Sequence, residues 1–105
     1  MFKLVSKQME EGEVVSNYEG KFTVALAGDS LWSDTSGKTV EVTGATVVES
    51  EYEGETSTLV YVAHTGTWDI YTDTGFERAI SEALGFNVTF TEQGMQEDNY
   101  ASLEA

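Results

Sequence analysis

The stretch that decides the fold is Thr39–Tyr52, which reads Thr-Val-Glu-Val-Thr-Gly-Ala-Thr-Val-Val-Glu-Ser-Glu-Tyr. Its even positions are Val40, Val42, Gly44, Thr46, Val48, Ser50 and Tyr52. Its odd positions are Thr39, Glu41, Thr43, Ala45, Val47, Glu49 and Glu51. Successive side chains point to opposite faces of a strand. The pattern therefore predicts one long strand with a largely apolar face and an acid-bearing face. Gly44 falls where a bulge or bend is expected.

Beyond this strand, Glu53-Gly54-Glu55 reads as a turn, and Ser57–His64 as a strand apolar on both faces, suited to the centre of a sheet. Thr65-Gly66 is a reversal, and Thr67–Thr72 continues the meander with Trp68 and Ile70 inward. Before it, residues 2–9 give a first strand. Val14 and Val15 give a short second, closed by Asn17-Tyr18-Glu19-Gly20. Lys21–Ala27 gives a third, with Phe22, Val24 and Leu26 on one face. Residues 28–38 form the longest irregular stretch, and Leu31 and Trp32 within it are expected to pack on the body.

One helix is specified, over about 74–85. Thr74-Gly75-Phe76-Glu77 matches a capping box, and Phe76, Ala79, Ile80, Ala83 and Leu84 recur at helical spacing. Gly85 stands at the expected stop. Phe86, Val88 and Phe90 alternate with polar residues and predict a last strand. The fold class is α+β: one domain over 1–94, with a twisted antiparallel meander of about six to seven strands and the helix packed across it. Residues 95–105 form a polar tail, or a short helix docked through Met95, Tyr100 and Leu103.

Composition narrows the chemistry. Nineteen acids oppose five basic residues, a net charge of −14 in 105 residues. Residues 1–38 carry six acids and four lysines, and residues 39–105 carry thirteen acids and Arg78 alone. Such a field repels nucleic acid and anionic membrane and attracts basic surfaces. With 40% hydrophobic and 11% aromatic residues, the chain is too apolar for an acidic disordered tail. Cysteine is absent, which excludes disulfides, thiolate metal sites and a cysteine nucleophile. Proline is absent too, so glycine, Asn and Asp must make the turns. No segment reads as a signal peptide or membrane span, so a cytoplasmic location is expected.

No cofactor, metal site or catalytic site is expected. His64 is the only histidine and reads as a turn or edge residue. No phosphate-binding glycine loop and no basic patch is present. Asp73-Thr74-Gly75 matches the Asp-Thr-Gly loop of aspartic proteases, with Asp34-Thr35-Ser36-Gly37 as an imperfect echo. Here Phe76 opens an amphipathic helix, so Asp73 and Thr74 read as cap residues instead. Tyr61 and Tyr71 are the candidates for exposed aromatic contacts.

The distinctive local feature is Glu49, Glu51, Glu53 and Glu55, with Glu41 further along. On an extended chain these carboxylates would share one face at a spacing of roughly 6.6–6.8 Å. The expected function is a non-enzymatic interaction protein that presents this face to a basic protein. Small acidic proteins that imitate nucleic acid, often from phages, are its parallel in charge and size. The alternative is a structural or assembly protein, a homo-oligomer or virion component, whose acidity reflects a saline habitat.

Overall fold

The structure is a computed structural model and describes residues 2–31, 33–66, 68–90 and 100–103. The stretch quoted above forms β3, Thr39–Tyr52, over its whole expected length. It pairs on one side with β2 (Glu13–Ala25) and on the other with β4 (Glu55–His64), both antiparallel. β1 (Lys3–Glu10) lies outside β2, again antiparallel. These four long strands form a meander in chain order, and the backbone of a short β5 (Tyr100–Leu103) runs along β4. A 3-10 turn at Trp68–Thr72 leads into the helix α1, Thr74–Leu84. The described residues form a single α+β domain: an antiparallel meander of four long strands, the short β5 at its edge, and one helix.

The expected six to seven strands are thus reduced, for three physical reasons. The second and third predicted strands are one strand: β2 stays paired across Glu19–Phe22 by a bulge instead of turning. The stretch predicted as a strand at 67–72 coils into the 3-10 turn, which still buries Ile70. The side chain of Trp68 lies outside the described residues, as do Thr67 and Trp32. The alternation at Phe86–Phe90 does bury Val88 and Phe90, but its backbone finds side chains and not a strand. The Val88 N–H donates to Ser81 Oγ at 2.9 Å, and the Phe90 N–H to Glu77 Oε2 at 3.3 Å. Two side chains one helical turn apart therefore hold two alternate residues of the returning chain. Of the expected tail at 95–105, residues 95–99, 104 and 105 lie outside the described residues, as do residues 91–94 of the expected domain; Tyr100–Leu103 is strand, not helix.

β3 changes phase in mid-strand. Val40 and Val42 are buried, and so are Ala45 and Val47, three and five residues beyond Val42. Two steps on β3 from Val42 to Gly44 match one step on β4 from His64 to Ala63, so the strand carries a bulge at Thr43. The glycine is needed there, because a Cβ on Gly44 would stand 2.8 Å from the Tyr18 carbonyl oxygen. An inserted residue moves every later side chain to the other face. Before the bulge the even residues face the helix; after it the odd residues do. Glu49 and Glu51 thus point to the same side as Ala45 and Val47, beyond the end of the core.

The core lies between α1 and the proximal half of the sheet. Phe76 and Ile80 are fully buried against Val24, Val40, Val42, Val60 and Val62, with Ala79, Ala83 and Leu84 packed at the margin. The Phe2 N–H reaches the Ala83 carbonyl at 3.4 Å and ties the start of the chain to the end of the helix. Gly85 ends the helix at φ 88°, its N–H bonded to Ser81 O. Among the described residues no helix is long and apolar enough to cross a membrane.

The β3–β4 hairpin has a two-residue loop, Glu53-Gly54, between the paired Tyr52 and Glu55. Both loop residues have positive φ, 52° and 81°, as a type I′ turn requires. Glycine enters that region freely, but a glutamate there pays for its Cβ. Asn has a lower cost at the first position. Glu53→Asn is therefore expected to stabilise the chain by about 0.5–1 kcal/mol. The check is the urea midpoint at unchanged slope; a lower midpoint would contradict the turn assignment.

Candidate functional site

The distal end of the sheet collects carboxylates from two neighbouring hairpins. The β1–β2 hairpin supplies Glu10, Glu11 and Glu13; the β3–β4 hairpin supplies Glu49, Glu51, Glu53 and Glu55. Register brings them together: Glu13 lies opposite Ser50 and Val14 opposite Glu49. The Glu51 N–H donates to the Gly12 carbonyl at 2.8 Å, which clips the first turn onto β3. The stretches 10–13 and 49–55 contain no lysine or arginine.

The placement differs from the single-faced row expected from sequence. Residues directly opposite in an antiparallel pair share a face. Glu49 and Glu51 lie on the helix side of the sheet. Glu55, paired with Tyr52, lies on the opposite side, as do Glu13, paired with Ser50, and Glu10, paired with Glu13. Glu53 sits in the turn. Glu41 precedes the bulge and belongs to neither group. Its carboxylate is 3.4 Å from Lys21 Nζ, a surface ion pair eight residues along β3 from Glu49, roughly 26 Å away. The acid surrounds one end of the sheet on both faces. Sequence reading missed Glu10, Glu11 and Glu13, although their run at a glycine turn was visible. Only the β2–β3 register sets them beside the others.

A second constellation gathers around Asp73, which is fully buried. It is the N-cap of α1, with φ −77° and ψ 124°. Its Oδ1 accepts from the N–H groups of Gly75 at 2.9 Å and Phe76 at 3.3 Å, and from Ala27 at 2.8 Å. Its Oδ2 accepts from the Gly28 N–H at 2.9 Å and the Thr35 hydroxyl at 2.7 Å. Burial alone would raise its pKa, but the Thr35 hydroxyl and the backbone donors outweigh it and hold the carboxyl at about 2. Asp29 returns the contact from the loop, accepting from the Thr74 N–H at 2.9 Å and the Thr74 hydroxyl at 2.6 Å. The two carboxylates staple the β2–β3 loop to the start of the helix.

This corrects the expected capping box. Asp73 and not Thr74 caps the helix, and Glu77 bonds forward to Phe90 instead of back. The Asp-Thr-Gly tripeptide owes its sequence to packing. A Cβ on Gly75 would stand 2.8 Å from the Ala27 nitrogen, so the loop needs glycine to approach the helix start. Asp34, in the imperfect echo, accepts from the Ser36 N–H at 3.0 Å, and the Ser36 bonds lower its pKa.

His64 ends β4 and faces the core side, opposite Val42. Its Nε2 lies 2.7 Å from the Tyr71 hydroxyl, and its ring meets Tyr71 and Phe76 edge-on at 5.3 and 5.6 Å. Tyr71 is 1% exposed, so it is a core residue and not the surface contact expected of it; Tyr61, at 40%, remains on the surface. Among the described residues no three acidic or histidine side chains converge as metal ligands do. No protein-family model, curated protein or solved structure matches the chain.

Proposed function

We propose that the chain is a non-enzymatic binding protein that offers the acidic end of its sheet to a basic protein surface. The observation that supports this is the convergence of seven glutamates from two hairpins, with no basic residue in either contributing stretch. Like charges set close together in a sheet cost stability. A lysine in either turn would relieve that cost. An end that carries acid on both faces suits a groove or cleft lined by Lys and Arg, where nucleic acid would otherwise lie. The expected partner is therefore a nucleic-acid-binding protein.

The test compares two charge-neutralised variants of the full chain. One replaces Glu49, Glu51, Glu53 and Glu55 by Gln; the other replaces Glu19, Glu77 and Glu82. Each is used to capture basic nucleic-acid-binding proteins at rising salt. The first variant is expected to lose capture, and the second to keep it. Capture by the parent should fall steeply as ionic strength rises and the Debye length shrinks from about 10 Å at 0.1 M to about 3 Å at 1 M. Equal capture by parent and tip variant would refute the proposal.

A further inference from the structure

We propose that two copies of the chain pair through their β1 edges, antiparallel about a two-fold axis at Lys7, so that the two sheets become one. β1 stands at the edge of the sheet order, and all eight of its residues are exposed. It carries three large apolar side chains in water, Leu4, Val5 and Met9, the last 74% exposed. An open edge of this length is a template for another strand.

The strand's own pairing with β2 fixes which side each residue faces. Leu4, Lys7 and Met9 lie opposite Tyr18, Ser16 and Val14, on the helix side of the sheet. Lys3, Ser6, Gln8 and Glu10 lie opposite Glu19, Asn17, Val15 and Glu13, on the other side. Two steps from Leu4 to Ser6 match one step on β2, so Val5 is an inserted residue. A second β1 must match face to face through the same bulge. A register that does so sets Lys7 opposite its own copy and Ser6 opposite the partner's Gln8. Met9 then meets the partner's Leu4 and Val5, and Glu10 meets the partner's Lys3. Symmetry repeats each contact. The apolar residues become mutual neighbours, and the opposite-charge pairs at the two ends offset the one like-charge pair, Lys7 against its own copy on the axis. The pairing uses β1 alone; of the seven glutamates at the acidic end it engages only Glu10, and it holds whether or not the other six bind a partner.

Lysines and a bulge also serve to guard edges against pairing, and the experiment separates the two roles. The chain contains no cysteine, so a single introduced thiol reports one contact. Lys7→Cys places two thiols on residues directly opposed at about 4.5–5.5 Å between Cα atoms, within disulfide reach. Gln8→Cys leaves its copy roughly 8 Å away, outside that reach. Under mild oxidation K7C is expected to run at twice the 11.5 kDa chain mass, and Q8C at the mass of one chain. In sedimentation, Glu10→Lys should weaken dimerisation roughly tenfold or more, since it opposes two cations at both ends. Adding Lys3→Glu to that variant should restore it. A parent chain that sediments as a monomer up to millimolar concentration would overturn the proposal and leave the lysines as edge guards. So would a dimer that ignores the charge swap, or one in which Q8C cross-links as readily as K7C.

Discussion

Replacing Asp73 by alanine is expected to lower stability by about 3–5 kcal/mol, and the melting temperature by roughly 15–30 °C. The change removes an acceptor that serves five donors: the N–H groups of Ala27, Gly28, Gly75 and Phe76 and the Thr35 hydroxyl. At a fully buried site water cannot replace it, so the donors bear their desolvation cost unpaired. Asp73→Asn keeps the shape but turns an amide N–H₂ toward a donor, and should cost about 2–3 kcal/mol. The carboxyl also makes stability pH-dependent. Its pKa is 3.8 in the unfolded chain and about 2 in the folded one. A depressed pKa means that the stabilisation is fully present above pH 3.8 and is lost as pH falls through 2. The difference amounts to about 2–2.5 kcal/mol. Urea unfolding of parent and D73N at pH 7 and pH 2 checks both statements. The gap between the two proteins should narrow at the lower pH, and a gap that stays constant would refute the assignment.

Phe76→Ala should cost about 3–5 kcal/mol. Phe76 is fully buried, with Tyr71 at 5.3 Å and Phe90 and His64 at 5.6 Å between ring centroids. This one ring touches the 3-10 turn, the end of β4 and the returning segment, and its loss leaves a cavity bounded by three rigid neighbours. Phe86→Ala is the matched control. That ring is exposed, so its removal should cost less than about 1 kcal/mol. Thermal denaturation of the two variants decides the matter: similar losses would mean that the 86–90 segment packs in the other phase.

These two sites show what could be read from the chain. The apolar stripe from Phe76 to Leu84 and the stop at Gly85 are local signals, and the helix appeared where they put it. The length of β3 was legible for the same reason, since alternation needs only its own residues. Asp73 was legible as a cap, but its bonds to Ala27, Gly28 and Thr35 span 38 to 46 residues. No periodicity encodes such partners. The segment 86–90 alternates as a strand would, yet helix side chains satisfy its backbone, and pattern alone cannot tell the two apart. The acids failed for a different reason. Faces were assigned by counting parity through Gly44, and one inserted residue inverted the count for Glu49 and Glu51.

That insertion gives the two halves of the molecule unequal tolerance to changes in chain length. Deleting Thr43 would only remove the bulge, because Val42, Ala45 and Val47 would then alternate regularly on the helix side. Deleting Thr46 instead would carry Val47 out of the core in favour of Val48 and move Glu49 and Glu51 to the other face. Every side chain from Val47 to Tyr52 would change sides, although none had been substituted. A one-residue change beyond Tyr52 would alter only the hairpin loop. The chain can therefore vary in length at its acidic end, while in the middle of β3 only the bulge residue can be lost without turning the rest of the strand over.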